Sequence, residues 1–315
     1  MTPSRFWLAA QAIVTCALLL LLARNLDLRA MQDVFERLPA WLYAASLAIV
    51  LAGQVAYAWR WKLLLRAAGV DVPLAIVTRQ YFIGIFANNF LPSTVGGDVA
   101  KIYYLGQRHG YRVVAASVAI DRLLGVGLLA ALACAALWMS PVTAPRLNVA
   151  RMASGGIAIL AASLLLLTHV GTGGLPGRVA VLGDRAVRMA SKLQQLRVDM
   201  AAPLARPRVV FQAAAVVIGY ALAATIVYVM CVETQQAPPP FTAMFAVVTA
   251  ATVLSNVPVS LNGLGLREQL HASLFVPLGV APETAVGISL LLYAHLLVAS
   301  AIGYAFWSRR QRVTR

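Results

Sequence analysis

The stretch Asn88-Asn-Phe-Leu-Pro-Ser-Thr-Val-Gly-Gly-Asp-Val-Ala-Lys101 decides how the rest of this sequence is interpreted. It interrupts an apolar run that would otherwise continue as a membrane helix, because Pro92, Gly96 and Gly97 all disfavour helix. In hydrocarbon every backbone N–H and C=O must be satisfied within the protein, so a broken helix is tolerated only where it is buried or lines a watery cavity. The stretch therefore predicts a re-entrant helical hairpin over about residues 75–110.

A second stretch, Ser255-Asn-Val-Pro-Val-Ser-Leu-Asn-Gly-Leu-Gly-Leu-Arg-Glu268, has the same kind of composition. It predicts a second re-entrant hairpin over residues 240–278. In each stretch a basic residue follows the proline by nine positions, Lys101 in the first and Arg267 in the second. Two interrupted segments in corresponding places are typical of transporters built from repeats, whose binding site lies near the middle of the membrane.

The composition of the whole chain is that of a membrane protein. Of its 315 residues 61% are hydrophobic and only 12% are charged, with a mean hydropathy of +0.78. We expect one all-α integral membrane domain over residues 1–315. The net charge of +15 does not indicate nucleic acid, because the basic residues lie between apolar runs and form no basic face on a soluble domain. The three cysteines lie in separate apolar runs without ligand spacing, so we expect no metal and no cofactor.

Six apolar runs approach or reach the spanning length of about 20 residues. They are residues 6–23, 41–59, 113–138, 152–170, 208–231 and 284–307.

The distribution of Lys and Arg between these runs predicts their orientation. Residues 171–208 carry seven basic residues against two acids and belong in the cytoplasm, whereas 232–240 and 278–283 carry no base. We expect a bacterial inner-membrane protein with both termini in the cytoplasm. Residues 41–138 and 208–307 would then be inverted repeats whose hairpins enter from opposite sides.

The basic segment 178–208 predicts a helix at the membrane surface. Arg178, Arg185 and Lys192 recur every seven residues with apolar residues between them, after a glycine-rich linker at 171–177. Such a helix can rest on anionic lipid. A solvated basic face is the alternative, and the two interpretations are compatible.

Charged and amide residues beside the two breaks are the candidates for substrate binding. Asp98 and Lys101 share a helix face at a spacing of three residues, and glycine N–H groups at a helix start suit phosphate. The planar guanidinium of Arg267 also suits phosphate. The predicted substrate-binding set is Arg267, Lys101, Gly97, Gly265, Asn89, Asn256 and Asn262. The alternatives are a structural ion pair at Asp98 and asparagines that satisfy opened backbone.

A second set of residues is predicted to gate the site or to form ion pairs. This set is Asp98, Glu268, Asp121, Arg122 and His271. The adjacent acid and base Asp121 and Arg122 lie within a span, where such a pair is either functional or a strut. Because adjacent residues of a helix point in different directions, we expect Arg267 and Glu268 not to satisfy only each other. The sequence contains no clear nucleophile–base set or catalytic carboxylate pair, so we do not expect an enzyme.

These motifs resemble the family of the transmembrane region of lysylphosphatidylglycerol synthases. The resemblance covers nearly the whole chain. It rests on Asn89-Phe-Leu-Pro92 with Gly97-Asp98, on Asp121-Arg122, on Pro258 to Glu268 and on Gly279-Val280. It implies a flippase that moves an aminoacylated phospholipid to the outer leaflet. Asp98 stands where relatives often have Glu. The chain ends soon after its last apolar run, so we expect a stand-alone member that lacks the soluble synthetase domain.

Residues and resemblance together predict a transporter that moves a phosphate-headgroup lipid between leaflets. The cargo would be a phospholipid, an aminoacylated phospholipid or a polyprenyl phosphate, and self-association into a homo-oligomer is left open. Two alternatives remain. One is an integral membrane enzyme that modifies a lipid or polyprenyl carrier through Asp98, Glu268 or His271. The other is a non-transporting partner subunit of an envelope enzyme.

Overall fold

The computed structural model describes residues 3–90, 96–168 and 184–313, and this part of the chain is helical without strands. Its helices are α1 (Pro3–Asn25), α2 (Leu28–Arg37), α3 (Ala40–Ala67), α4 (Leu74–Phe90), α5 (Gly96–His109), α6 (Tyr111–Met139), α7 (Pro145–Leu167), α8 (Asp184–Leu204), α9 (Pro207–Glu233), α10 (Phe241–Leu254), α11 (Leu266–Phe275) and α12 (Pro282–Val313). The 3-10 turns Leu261–Gly263 and Val276–Leu278 flank α11. The all-α prediction is confirmed.

Five described helices are long and apolar enough to cross a membrane, namely α3, α6, α7, α9 and the Pro282–Arg309 part of α12. They coincide with five of the six predicted spans. The first predicted span, 6–23, lies in α1, which meets the same criterion only as a pair with α2, bent from it by 86°. The described chain is therefore a multi-pass membrane protein with five spans, or six if the bent pair is one.

Each predicted hairpin is a pair of short helices. Helices α4 and α5 fall within 75–110 to within one residue, and α10 and α11 lie within 240–278. In the second break the backbone is left-handed at Asn262, Gly263 and Gly265, with φ of 49°, 77° and 80°. Glycine adopts this conformation freely and asparagine tolerates it, which explains why the helix stops here. The predicted break at Pro92 lies outside the described residues.

The helices of the two halves pack in matching pairs. Helix α4 packs against α3, α5 and α12, and α10 packs against α9, α11 and α6. Likewise α5 packs on α6 and α11 packs on α12. These pairings are preserved when α3–α6 are exchanged for α9–α12. This pattern is what a structural repeat would produce, and the repeat, its inverted orientation and the re-entrant entry of the hairpins stay predictions.

Helix α1 holds the second break in place. Gln11 Nε2 donates to the carbonyl oxygen of Pro258 at 3.0 Å, and Thr15 Oγ1 accepts from the backbone N–H of Leu261 at 2.9 Å. These bonds satisfy backbone groups that the break leaves without helical partners, as a low-dielectric environment requires.

The described part of the basic segment 178–208 is helix α8 followed by the start of α9. Arg112, at the beginning of α6, donates from Nε to Asp199 Oδ2 at 2.7 Å and so ties α8 to the bundle. Arg188 and Lys192 are exposed. Arg178 and the linker 171–177 lie outside the described residues, and contact with anionic lipid remains a prediction.

Candidate functional site

A cavity of about 400 Å³ lies where the two broken helix pairs meet. Its walls include α3 to α6 from the first half of the chain and α9 to α12 from the second. Nine predicted site residues line it, namely Asn89, Asp98, Lys101, Asp121, Arg122, Asn256, Asn262, Arg267 and His271. The structure thus brings into one cavity side chains that lie up to 182 positions apart, from Asn89 to His271.

The first charge cluster consists of Arg60, Asp98, Lys101, Asp121 and Arg122. Arg60 Nε donates to Asp121 Oδ1 at 2.8 Å, and its Nη2 donates to the Asp121 carbonyl oxygen at 3.3 Å. Asp98 accepts from Lys101 Nζ at 3.2 Å and, through its other oxygen, from Arg122 Nε. The adjacent residues Asp121 and Arg122 therefore bind different partners, because neighbouring positions of a helix face different directions.

Lys101 is buried among aromatic rings. Its Nζ lies 4.2 Å from the ring centroid of Tyr81 and 5.5 Å from that of Trp61, within the range of cation–π attraction. Lys101 is 9% exposed and Asp98 is 5% exposed. A buried cation is stable only with such partners. Asp98 and the two aromatic rings therefore stabilise the Lys101 ammonium group away from water.

Arg60 is a site residue that the sequence analysis missed. The predicted span ended at residue 59, just before Arg60, but α3 continues to Ala67 and buries Arg60 to 5% exposure. Gln54 and Tyr57 precede it at spacings of six and three, and all three line the cavity. This polar stripe on one helix face is the signal that could have identified Arg60. Gly125 makes room, since a Cβ there would lie 2.9 Å from Arg60 Nη1.

Arg267 and Glu268 form the core of the second charge cluster, where they pair with each other and each also has a further partner. Arg267 donates to Glu268 Oε1 from Nη2 at 2.7 Å and from Nε at 3.1 Å. The reason is local: Glu268 turns back so that Oε2 accepts from the N–H of Gly265 at 2.7 Å, which brings its carboxylate beside Arg267. The Arg267 guanidinium also lies 4.6 Å from the ring centroid of Tyr293.

His271 completes the second charge cluster. Its Nδ1 lies 2.7 Å from the carbonyl oxygen of Arg267, which can only accept, so Nδ1 carries the proton. Its Nε2 lies 2.6 Å from the hydroxyl oxygen of Tyr228, within hydrogen-bond distance. Both ring nitrogens have protein partners, and His271 is 2% exposed.

The two glycine N–H groups predicted to bind phosphate have side-chain partners instead. The N–H of Gly97 donates to Asn88 Oδ1 at 2.6 Å, and the N–H of Gly265 donates to Glu268. Among the described residues that line the cavity, neither glycine nor Glu268 is present. Ion-pairing side chains thus form the charged surface of the cavity, with Glu268 directly behind Arg267.

The predicted asparagines have two different roles, which are to satisfy backbone groups and to join the two broken helix pairs. Asn256 Nδ2 donates to the carbonyl oxygen of Thr252 at 2.8 Å, which satisfies backbone at the end of α10, as the alternative interpretation predicted. Asn262 Nδ2 donates to Asn89 Oδ1 and so joins the second break to the end of α4. This hydrogen bond connects the two broken pairs directly at the cavity wall.

The family model for the transmembrane region of lysylphosphatidylglycerol synthases matches residues 7–303. This chain belongs to that family. The matched range contains both breaks and both charge clusters, and the predicted resemblance is confirmed. A UPF0104 membrane protein of Pyrococcus horikoshii is 32% identical over 122 residues, or 36% of this chain. That match covers 34% of the relative's length. No solved structure matches the chain.

The cavity of this lysylphosphatidylglycerol synthase transmembrane-region protein is lined by more cations than carboxylates. Among the described lining residues, four are cationic, Arg60, Lys101, Arg122 and Arg267, and two are acidic, Asp98 and Asp121. Such a wall attracts an anion, and the low dielectric around it strengthens that attraction.

Proposed function

We propose that this chain moves a phosphate-headgroup lipid between the two leaflets of a bacterial inner membrane. The observation that carries the proposal is the cation-rich cavity between two broken helix pairs of a membrane protein. A headgroup that crosses a bilayer must exchange water for polar protein groups, whereas its acyl chains can stay in lipid. The name of the family, which refers to an aminoacylated phospholipid, supports a lipid as the cargo.

Lys101 and Arg267 are proposed to meet the phosphate from opposite halves of the chain. Both line the cavity, and both are held by carboxylates, Asp98 and Glu268, that an incoming phosphate could replace as partners. Charge-assisted bonds to phosphate suit these side chains, and the guanidinium adds a two-pronged geometry. Exchange of internal ion pairs for ligand contacts would keep each of the two cations paired while the headgroup enters and leaves.

Transport is favoured over chemistry by the occupation of the candidate catalytic groups. Asp98 and Glu268 are bound to cations, and both nitrogens of His271 are hydrogen-bonded. A general base needs an accessible lone pair within reach of the substrate. An enzyme would therefore need these groups to exchange partners before the reaction. In a transporter, such an exchange of partners is a step of the transport cycle.

The test is a leaflet-protection assay in liposomes that contain the purified protein and a fluorescent phospholipid. A membrane-impermeant quencher removes only outer-leaflet fluorescence, so lipid movement appears as additional loss with time. We expect the wild type to move the lipid and Arg267→Ala to lose most of that rate. Arg112→Ala is the matched control, because Arg112 is half-exposed and pairs with Asp199 away from the cavity.

Arg267→Ala leaves Glu268 buried without its partner, so Arg267→Gln combined with Glu268→Gln provides a second variant that removes both charges. Lack of movement by the wild type would reject the flippase proposal and favour the partner-subunit alternative. A covalently altered lipid, detected by mass spectrometry, would identify an enzyme instead. Full rates in correctly inserted variants would remove Arg267 from the pathway.

A further inference from the structure

Four uncharged polar side chains line the cavity and belong to neither charge cluster. They are Gln54 and Tyr57 on α3, Tyr81 on α4 and Tyr220 on α9, and we call them the neutral polar wall. Gln54 is 7% exposed, and its amide makes no hydrogen bond with the residues that the structure describes. The hydroxyl groups of the three tyrosines likewise make none with that part of the chain. Amide and phenol groups that are withdrawn from bulk water usually have a hydrogen-bond partner.

The fold supplies such partners to comparable groups nearby. Tyr228 also lines the cavity, and its hydroxyl oxygen lies 2.6 Å from Nε2 of His271. Trp61 donates from Nε1 to the hydroxyl oxygen of Ser117 at 3.1 Å. The neutral polar wall differs from these side chains because its hydrogen-bonding groups face a cavity, where a bound molecule can be the partner.

Helix packing positions the neutral polar wall. Gln54 and Tyr57 are three residues apart and therefore share a face of α3. The ring of Tyr220 packs edge-on against that of Tyr57, with 4.9 Å between the ring centroids. Gly53 makes this contact possible, since a Cβ at that position would overlap the ring of Tyr220. Glycine weakens a helix interior, so α3 gives up helix stability to bring Tyr220 against it.

The neutral polar wall lies beside cations of the cavity. Lys101 Nζ is 4.2 Å from the ring centroid of Tyr81, and the guanidinium carbon of Arg60 is 4.9 Å from that of Tyr57. A phosphate bound by Lys101 would therefore place the alcohol esterified to it next to this wall. Amide and phenol groups can both donate and accept hydrogen bonds, as can the hydroxyl groups of an alcohol. An ammonium group can only donate.

We propose that Gln54, Tyr57, Tyr81 and Tyr220 bind the free hydroxyl groups of a polyol that is esterified to the lipid phosphate. The ligand class is a phospholipid whose headgroup is a sugar, inositol or glycerol residue. This inference rests on the proposed function and specifies its cargo. Selection does not depend on the charge of the headgroup, because the four side chains are uncharged. It arises because a ligand without the hydroxyl groups leaves the polar groups of the site unpaired.

The first experiment compares lipids of equal charge that differ in their hydroxyl groups. Phosphatidylinositol, phosphatidylglycerol and phosphatidylethanol are all singly charged phosphodiesters, but the headgroup of phosphatidylethanol has no free hydroxyl. Purified full-length protein in phosphatidylcholine nanodiscs is titrated with each lipid, with matched acyl chains, and binding is followed by native mass spectrometry. We expect the two polyol lipids to bind about tenfold more tightly than phosphatidylethanol, the scale of one or two hydrogen bonds. Equal binding of all three would overturn the inference.

Variants then remove single polar groups from the neutral polar wall. Gln54→Leu and Tyr220→Phe delete polar atoms at nearly constant shape and break no hydrogen bond within the described chain. We expect each to reduce the preference for phosphatidylglycerol over phosphatidylethanol to about threefold, with phosphatidylethanol binding and the melting temperature unchanged. Tyr304→Phe is the matched control, because Tyr304 is 52% exposed and lies outside the cavity lining.

Two results with these variants would contradict the assignment. An unchanged tenfold preference in Gln54→Leu, in Tyr220→Phe and in the double variant would exclude both side chains from the site. Weaker binding of all three lipids together with a lower melting temperature would show that the two side chains are structural.

Two further arms separate the ligand source and the two proposals. Glycerophosphoglycerol, which is the phosphatidylglycerol headgroup without acyl chains, should displace bound phosphatidylglycerol only at far higher concentration. Equal potency would make the ligand a free polyol phosphate and overturn the assignment to a lipid. The liposome assay is then run with fluorescent phosphatidylglycerol and phosphatidylethanol. Hydroxyl-selective binding without movement supports the inference and rejects the flippase, whereas movement of both lipids with equal binding rejects the inference and keeps the flippase.

Discussion

At the residue scale, Arg60 and Asp121 form a buried pair whose members are costly to leave alone. Their side chains are 7% and 8% exposed. Removing one member of a buried pair strands a charge and typically costs about 3–5 kcal/mol. We therefore expect Arg60→Gln to lower the free energy of unfolding by roughly this amount. Denaturant unfolding in detergent micelles, followed by tryptophan fluorescence, measures the change.

The double variant Arg60→Gln with Asp121→Asn provides the control for this effect. Two amides can hydrogen-bond to each other without charge, so the double variant should be more stable than either single variant. Additive losses in the double variant would mean that the two side chains act independently and would contradict a stabilising pair. Arg151→Gln, in the neighbouring span α7, reports the cost of losing an arginine that pairs with backbone carbonyl oxygens and Asn148 instead of a carboxylate.

Residue types in this site were predictable from the sequence, but their pairing was not. Charges inside apolar runs are costly, and this pointed to Asp121 and Arg122. The partners depend on which helices meet: Asp121 reaches Arg60 on α3, and Arg122 reaches Asp98 on α5. Helix packing is not encoded in local spacing. The direct contact between Arg267 and Glu268 arises because Glu268 folds back to the helix start, which brings the side chains of two adjacent residues together.

At the element scale, Pro and Gly predicted both helix pairs, and two ways of counting relate the residues of the pairs differently. Counting from the proline relates Lys101 to Arg267. Within the described helices, Lys101 is the sixth residue of α5 and Arg267 the second of α11, so this count relates Lys101 to His271, and Asp98 to Glu268 as third residues. The two counts differ because the segment between proline and helix is longer in the second break.

The close approach of α4 and α5 leads to a prediction about Gly97. A Cβ at Gly97 would overlap the carbonyl oxygen of Gly84 and lie 2.8 Å from Asn88 Oδ1. Backbone cannot yield as a flexible side chain can, so Gly97→Ala should separate the two helices and cost about 1–3 kcal/mol. We expect a lower melting temperature in detergent together with slower lipid movement in liposomes.

Gly156 supplies the matched control for Gly97. It lies in helix α7, and a Cβ there would meet no atom within 4 Å among the described residues. Alanine favours helix over glycine by up to about 1 kcal/mol, so Gly156→Ala should melt at the wild-type temperature or slightly above it. A Gly97→Ala protein that melts with the wild type would show that the contact between α4 and α5 is not tight.

At the scale of the whole molecule, the helix contacts of the two halves match as a repeat would make them match, and the cavity lies between the two halves. The first charge cluster is built from α3, α5 and α6, and the second takes its side chains from α9, α11 and α12. The exchange of α3–α6 for α9–α12, which relates the helix contacts of the two halves, also relates these two sets of helices. The two clusters differ in composition, because the first contains three cations and two carboxylates and the second contains the Arg267–Glu268 pair beside His271.

If the two halves are inverted in the membrane, the open ends of their helix pairs must face opposite compartments. The last turn of α5 carries Arg108 and His109 and Arg112 follows it, whereas residues 232–240, before α10, carry no base, so the first should be cytoplasmic and the second external. The measurement uses Gln107→Cys and Ala237→Cys, both exposed positions, in a background without Cys16, Cys134 and Cys231. A membrane-impermeant maleimide added to intact cells should label residue 237 alone, and opening the inner membrane should add label at residue 107. Labelling of both positions from the outside would place both open ends in one compartment, and the repeat would then be parallel.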